Sequence, residues 1–329
     1  MFPSIFLFLL MLGMGSIISF SSSHWLFVWM GLEINLLSFI PLIKMSNMFC
    51  ETESATKYFL VQALGSSFIL FGSMNMFIDY MSMVSSSISS MFIISGLMIK
   101  LGAAPFHFWF PPMMLGLSWW IVILLMTWQK LAPFLIMSYL FLGNVFVMII
   151  FFISLGSLVG GILGMNQNHL RAILAYSSIS HLSWILAVSF FSMGISYMYF
   201  FIYLMISFSI LTFIIMMNLY KNSFSFSMMY SNKFYGLLIS MMFLSLGGVP
   251  PMLGFFPKMM VLLELVSECY FFVILLLVIG SLFSLFYYLV ICFNSMLMIN
   301  MEHKYYKFSN GFSIFFIMLS LSPMMLMFY

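Results

Sequence analysis

Three lysines and one glutamate lie inside long apolar stretches of the sequence, where ionisable side chains are rare. Lys100, Lys130 and Lys258 interrupt three such stretches, and Glu33 interrupts a fourth, WMGLEINLLSFIPL. An ionised side chain near the centre of a membrane helix costs about 2.5–3.5 kcal/mol on insertion scales. Side chains kept at that cost are typical of a pathway for ions or protons. We therefore take these four residues as candidates for a proton relay.

Two structural alternatives compete with the relay. Each lysine could extend to the membrane surface, or it could form a static buried ion pair with Glu33. Extension is difficult from the middle of a span, about 15 Å from either surface. One acid can also neutralise only one of the three lysines. A relay has a further requirement, because a lysine must also release its proton, which burial favours and a nearby carboxylate opposes.

Two histidines are weaker candidates for the same relay. His107 follows Lys100 by seven residues, and His181 lies among hydroxyl side chains in AYSSISHLSW. Imidazole titrates near neutral pH, so both could support a water wire with those hydroxyls. Alternatively, each hydroxyl bonds its own helix and each histidine a neighbouring backbone group. Thr127 and Gln129 flank Lys130 and are predicted to be hydrogen-bonding or packing partners rather than relay groups.

The elements that must position these residues are membrane-spanning helices. The chain has 329 residues, of which 64% are hydrophobic and only 5% charged, and its mean hydropathy is +1.19. Soluble domains carry about 25% charged residues, so the chain is an all-α polytopic membrane protein. Eleven spans are predicted within a single membrane domain, at 3–20, 24–44, 57–79, 88–110, 117–142, 143–165, 169–191, 195–219, 234–267, 269–299 and 311–328.

Two of these spans contain helix-breaking sequences. KLGAAPFHFWFPP begins at Lys100, and GGVPPMLGFFPK ends at Lys258. Proline removes a backbone donor, and freed carbonyl groups are tolerated at membrane depth only beside protein or a wet cavity. Broken helices at corresponding positions of two halves are typical of ion paths in transporters built from inverted repeats. The sequence therefore predicts two broken helices that border a hydrated path.

The loop charges predict the orientation of the chain. Loops that follow odd-numbered spans hold no Lys or Arg, and the basic side of a membrane protein is the side on which it is made. We expect the N-terminus on the basic side and the C-terminus on the other. The loops that follow even-numbered spans hold seven basic residues: Lys44, Lys57, Arg171, Lys221, Lys233, Lys304 and Lys307.

Several kinds of chemistry have no signal in the sequence. The three cysteines, Cys50, Cys269 and Cys292, show no metal-ligand spacing, and the sequence has no nucleotide-binding glycine motif. We expect no cleavable leader, metal site or nucleic-acid partner. Because nothing in the chain performs redox chemistry or hydrolysis, energy must come from an ion gradient or a partner.

Six sequence blocks resemble a known family. They are WMGLEINLLSFIPL, KYFLVQALGS, KLGAAPFHFWFP, TWQKLAP, LAYSSISHLSWIL and GGVPPMLGFFPK, in that order between about residues 25 and 260. Together they resemble chain 2 of NADH:ubiquinone oxidoreductase, respiratory complex I, in its mitochondrially encoded animal form. The 37 methionines are also typical of a mitochondrial genetic code.

The resemblance implies an antiporter-like fold with two inverted five-helix repeats, at about 3–142 and 143–299, and a C-terminal helix at about 311–328. It implies that Glu33, Lys100, Lys130 and Lys258 belong to a central row of charged groups that moves protons. Flavin, iron–sulfur clusters and ubiquinone would be bound by other subunits, so this chain would hold no cofactor.

The implied partners are other membrane-arm subunits of complex I and membrane lipids, in the mitochondrial inner membrane, with the N-terminus in the matrix and the C-terminus in the intermembrane space. Two other functions remain open: a self-sufficient cation/proton antiporter of the same fold, and a structural helical scaffold.

Overall fold

A computed structural model describes residues 2–46, 48–82, 87–140, 146–219 and 233–297, and the regular structure within these ranges is helical throughout. The α-helices are α1 Phe2–Ser21, α2 Trp25–Ile43, α3 Phe49–Ser82, α4 Ser87–Leu101, α5 Phe110–Gly116, α6 Trp119–Met126, α7 Trp128–Leu140, α8 Phe146–Met165, α9 Leu170–Ser189, α10 Met193–Leu219, α11 Lys233–Gly247, α12 Phe255–Ser267 and α13 Phe271–Leu297. Short 3-10 helices occur at Lys44–Ser46 and Phe106–Trp109.

The helices confirm the prediction of a polytopic membrane protein. Eight segments of the described chain are long and apolar enough to cross a membrane, and two shorter apolar helices lie at Ile149–Met165 and Gly236–Gly247. These ten segments correspond to the first ten predicted spans. The eleventh predicted span, 311–328, lies outside the described residues.

The third span begins earlier than predicted. α3 starts at Phe49 rather than at residue 57, and it contains 34 residues. Its first turns carry charged side chains, and Lys57 Nζ lies 2.6 Å from Glu53 Oε1 one turn away. Such pairs, four residues apart, stabilise a helix at the polar surface. The helix therefore continues beyond the apolar stretch that predicted it.

Both predicted interruptions are present, and both have the same local backbone pattern. α4 ends at Leu101 and α11 at Gly247, and each is followed by a glycine with positive φ: Gly102 at +70° and Gly248 at +73°. A glycine just past the helix end adopts this left-handed conformation without steric cost and stops the helix. The chain becomes helical again at α5 and α12, whose first turns carry prolines because the amide hydrogen is dispensable there.

The fifth span has an additional break that the sequence did not predict. α6 ends at Met126 and α7 begins at Trp128, with Thr127 between them. The Thr127 hydroxyl donates a hydrogen bond to the Ile123 carbonyl at 2.7 Å. Pro133, inside α7, has no amide hydrogen to donate to the preceding turn, which also weakens the helix near the break. The break places Lys130 in the first turn of α7.

Contacts between helix ends and loops test which connections lie on the same side of the membrane. Arg171 Nη1 donates to the Leu115 carbonyl at 2.8 Å, and Gly116 packs against the Cys50 carbonyl. The loops after the second, fourth and sixth spans therefore meet on one side of the molecule. On the other side, the rings of Phe191 and Tyr270 lie 5.1 Å apart and join the loops after the seventh and ninth spans. The predicted alternation of sides is confirmed for these loops.

Candidate functional site: a buried row of basic side chains

Lys258 lies at the second interruption and is 8% exposed. Its Nζ reaches back across the break and donates a hydrogen bond to the Gly247 carbonyl at 2.8 Å, at the C-terminal end of α11. The last carbonyls of a helix lack intrahelical donors and carry the negative end of the helix dipole, so a cation is stabilised there. Nζ also lies 5.8 Å from the ring centre of Trp184.

Lys130 is the most deeply buried of the three lysines, at 2% exposure. Its Nζ lies 3.4 Å from the Tyr203 hydroxyl, and 5.1 Å and 5.3 Å from the ring centres of Phe110 and Tyr203. An ammonium group over aromatic faces gains a favourable electrostatic interaction that partly replaces water. Lys130 thus joins α7 to α5, which follows the first interruption, and to α10.

His181 lies between Lys130 and Lys258. It belongs to α9, the helix with the largest buried share, and the charges of both lysines act on its imidazole. Its Nδ1 shares a 3.0 Å hydrogen bond with the Tyr199 hydroxyl, and its ring centre lies 5.4 Å from that of Tyr203. The row therefore runs from Lys130 through Tyr203 and His181 to Lys258.

Lys100 and Glu33 extend the row toward the N-terminal helices. Lys100 is 7% exposed in the last turn of α4, and the Gln62 amide donates to the Lys100 carbonyl at 3.3 Å. Glu33 is half-buried on α2, and its charge acts on Lys100 and Tyr58. Within the described residues, Glu33 forms no ion pair within 4.0 Å with Lys100, Lys130 or Lys258. The static ion pair considered above is therefore absent from this structure.

A polar network beside Glu33 was not predicted in full. Gln129 donates to Asn35 Oδ1 at 3.0 Å and accepts a hydrogen bond from the Tyr58 hydroxyl at 3.2 Å. These contacts join α2, α3 and α7, and they confirm Gln129 as a hydrogen-bonding partner next to Lys130. The sequence signal was a lone amide, Asn35, two residues after an intramembrane acid.

The two predicted histidines have different surroundings. His107 lies in the 3-10 helix of the first interruption, with Nδ1 3.2 Å from the Pro105 carbonyl oxygen. Its Nε2 is buried without a hydrogen-bond partner. The structure brings His181, and not His107, into contact with the row of lysines through tyrosine rings.

The serines near His181 follow the alternative considered for them. The hydroxyl groups of Ser177, Ser178 and Ser180 each donate to a carbonyl of their own helix, three residues earlier. Their oxygen atoms can still accept hydrogen bonds. Tyrosines supply the polar groups that sequence reasoning missed: Tyr199 and Tyr203 lie four residues apart on α10, a spacing that places both on one helix face.

The arrangement suits proton exchange. Lysine, histidine and tyrosine can each give and take a proton, and here they alternate through the interior beside interrupted helices. Among the described residues, no group of three or more His, Cys, Asp and Glu lies together to hold a metal ion. The predicted roles of the six candidate residues, and the predicted lack of a bound cofactor, remain predictions.

Comparisons with a family model, with protein sequences and with solved structures all indicate the same family. The NADH:quinone oxidoreductase/Mrp antiporter transmembrane family matches residues 22–284. NADH-ubiquinone oxidoreductase chain 2 of Anopheles gambiae is 41% identical over 315 residues, covering 93% of this chain and 90% of the relative. The chain 2 protein of Lumbricus terrestris is 38% identical and covers 89% and 87%. A chain of respiratory complex I from Thermus thermophilus superimposes with a TM-score of 0.79 at 22% identity, covering 97% of this chain and 77% of that one.

Proposed function

Because the chain belongs to the NADH-ubiquinone oxidoreductase chain 2 family, within the NADH:quinone oxidoreductase/Mrp antiporter family, we propose that it is a proton-translocating membrane-arm subunit of mitochondrial complex I. Its fold is antiporter-like. The observation that carries the proposal is the row of buried lysines, each beside a helix interruption and joined in part by His181.

The proposed relay consists of Glu33, Lys100, Lys130 and Lys258, with His181 between the last two. His107, in the 3-10 helix of the first interruption, is a weaker candidate member, because among the described residues it makes no contact with the row. Lys258 is held at a helix C-terminus, where the Gly247 carbonyl stabilises its bound proton, and Lys100 lies in the last turn of α4. A change in the charge at Glu33 would act on Lys100 directly, so charge can pass along the row without a fixed ion pair.

The energy for transport comes from the partners of the chain. Moving one charge against 100 mV requires about 2.3 kcal/mol, and quinone reduction in other subunits supplies it. Those subunits bind NADH, flavin, iron–sulfur clusters and ubiquinone, and this chain holds no cofactor of its own. The chain is a multi-pass protein of the mitochondrial inner membrane in contact with other membrane-arm subunits and with lipids.

The proposal includes a direction in the membrane. The basic side, which carries Arg171 and the N-terminus, faces the matrix, and the C-terminus faces the intermembrane space. Five-helix repeats at about 3–142 and 143–299 are supported by the two interruptions, which share a left-handed glycine and downstream prolines.

Lysine replacement in the assembled complex tests the function. Lys100→Met and Lys258→Met keep the apolar stem and remove the charge, so we expect proton translocation and coupled quinone reduction to fall about tenfold or more while the complex assembles. Membrane vesicles driven by NADH report both rates. Unchanged rates in fully assembled variants would contradict the proposal and favour a structural scaffold.

A stand-alone antiporter is the second candidate, because the matching family includes Mrp antiporters. The purified chain in liposomes distinguishes it. Cation-dependent proton exchange by the chain alone would support this function, and exchange only within the assembled complex would support the first.

A further inference from the structure

Arg171 carries a positive charge in the first turn of α9, where the helix dipole disfavours it. The first turn presents the positive end of the dipole, so basic side chains are favoured in the last turn instead. The side chain leaves its own helix: Nη1 donates to the Leu115 carbonyl at 2.8 Å, and Cζ lies 4.8 Å from the ring centre of Trp119. Arg171 therefore contacts two elements of the first predicted repeat, the end of α5 and the start of α6.

The Leu115 carbonyl is one of the groups that a helix leaves without an internal donor. α5 contains only seven residues, Phe110–Gly116, and the last four carbonyls of a helix have no partner within it. Leu117, which follows α5, is extended, with φ −86° and ψ 150°, so the chain leaves the helix without a closing turn. The guanidinium group of Arg171 thus caps the negative end of α5, and a hydrogen bond from a charged donor is stronger than one from a neutral donor.

α12, the helix that follows the second interruption, is closed in a different way. The Tyr270 amide folds back and donates to the Leu265 carbonyl at 3.0 Å, and the Cys269 amide donates in the same turn. This backbone arrangement satisfies the last carbonyls of a helix without any side chain. The two interruptions therefore begin alike, but the helix after the first one is capped by a residue of another helix.

The end of α5 also packs on α3. A Cβ atom on Gly116 would lie 2.6 Å from the Cys50 carbonyl oxygen and 3.3 Å from Ser54 Cβ. The end of α5 is therefore fixed by two neighbours, α3 through backbone contact and α9 through Arg171. Loss of the guanidinium group would release α5 from α9 and leave its contact with α3.

The beginning of α5 contacts Lys130. Phe110 is 2% exposed, and its ring centre lies 5.1 Å from Lys130 Nζ. Because α5 is a helix only about 10 Å long, a shift at Leu115 also moves Phe110. The favourable interaction of an ammonium group with an aromatic face depends on its position over the ring. The cap at one end of α5 thus controls a contact of the relay at the other end.

We propose that Arg171 is a positioning residue for the relay, which caps α5 from α9 and thereby keeps the Phe110 ring against the Lys130 ammonium group. This inference rests on the proposed function and adds to it a residue outside the row. Arg171 and His181 both belong to α9, so the helix that carries His181 also fixes an aromatic partner of Lys130. The step between Lys130 and His181 therefore depends on a contact on the basic side of the membrane.

Replacement of Arg171 in the assembled complex tests this role. Arg171→Met removes the donor and the charge, so we expect NADH-driven proton translocation to fall about fivefold while the complex assembles. Arg171→Lys keeps a charged donor for the Leu115 carbonyl and should recover part of the lost rate. Lys57→Met is the matched control, because it removes a surface basic side chain that pairs with Glu53, and its rate should be unchanged. An Arg171→Met rate equal to the control, or a lysine variant as slow as the methionine variant, would overturn the proposal.

A double variant separates positioning from a general loss of stability. Phe110→Leu removes the ring from Lys130 but keeps an apolar side chain, so it should also slow translocation. If Arg171 acts through Phe110, adding Arg171→Met to Phe110→Leu should slow translocation little further, because changes that act on one contact are not additive. Independent effects that multiply would mean that Arg171 only stabilises the fold, against the proposal.

The results separate this inference from the proposed function. If Lys130→Met abolishes translocation while Arg171→Met matches Lys57→Met, Arg171 has no positioning role and the relay stands. If Lys130→Met has no effect, the relay itself is wrong.

A structural measurement applies even where a variant fails to assemble. An experimental map of the unaltered complex should show the Arg171 guanidinium group within hydrogen-bond distance of the Leu115 carbonyl, and the Phe110 ring beside Lys130 Nζ. A guanidinium group bound instead to a lipid phosphate or to another subunit would overturn the proposal.

Discussion

At the residue scale, the three lysines differ in how their charge is stabilised. Lys258 is bonded to a helix-terminal carbonyl and Lys100 belongs to the last turn of its helix, whereas Lys130 rests on aromatic rings and a tyrosine hydroxyl. None of them is paired with Glu33 within 4.0 Å in the described residues. A buried charge without a counterion lowers the stability of a fold, so its retention calls for a functional reason.

Lys130→Met should therefore separate stability from function. We expect equal or greater resistance to thermal inactivation, because an unpaired buried ammonium group is replaced by an apolar side chain of similar length. We expect NADH-driven proton translocation to fall in the same variant. Thermal inactivation is measured on the isolated complex, and proton translocation is measured in membrane vesicles.

Lys57→Met is the control for Lys130→Met. Lys57 pairs with Glu53 at the surface, with side-chain exposures of 42% and 67%, so its loss should leave both stability and translocation almost unchanged. A Lys130 variant that unfolds readily but pumps normally would show that the lysine is structural.

At the element scale, the interruptions position the basic side chains. Gly248 ends α11 and lies against the Lys258 side chain, while Gly102 ends α4 and lies against Trp109 and Phe110. Both glycines have φ near +70°, a conformation that costs other residues about 1–2 kcal/mol. The two breaks therefore offer a pair of substitutions with equal backbone cost and different neighbours.

Gly248→Ala and Gly102→Ala should lower stability by similar amounts, about 1–2 kcal/mol each. Gly248→Ala should also lower translocation more strongly, because its Cβ would lie 2.9 Å from Lys258 Cδ, whereas the nearest atom to a Cβ at Gly102 is 3.3 Å away. Thermal inactivation and translocation rates of the two variants check this. Equal translocation rates would mean that the exact position of Lys258 is unimportant.

At the scale of the whole molecule, the alternation of loops fixes which surfaces share a side. Cys50 lies at the same end of the helix bundle as Gly116 and Arg171, and Cys269 lies at the opposite end beside Tyr270. Both cysteines are exposed, and Cys292 is buried. The native thiols can therefore report the orientation in the membrane.

A membrane-impermeant thiol reagent should label Cys50 from the matrix side and Cys269 from the intermembrane-space side. Inverted inner-membrane vesicles and mitoplasts present the two sides, and peptide mass analysis identifies the labelled residue. Cys292 should remain unlabelled in both preparations. Labelling of Cys50 and Cys269 from the same side would contradict the predicted topology, and exchanged sides would reverse the orientation.

The sequence by itself determined the class of protein, ten of the predicted spans within the described residues, and the two interruptions. These features depend on local properties: the hydropathy of about 20 neighbouring residues, and the conformational limits of glycine and proline. It also identified Lys100, Lys130 and Lys258, since a charge in an apolar stretch is visible without any knowledge of its neighbours.

Only the tertiary structure decided what surrounds those charges. It placed His181 between Lys130 and Lys258, left His107 apart, kept Glu33 from pairing with the three lysines, and added Tyr199 and Tyr203. It also showed the break at Thr127 and the helical start at Phe49. Such outcomes depend on contacts between helices distant in the sequence. Hydropathy shows that a helix is buried in the membrane, but only packing determines which of its faces meets which partner.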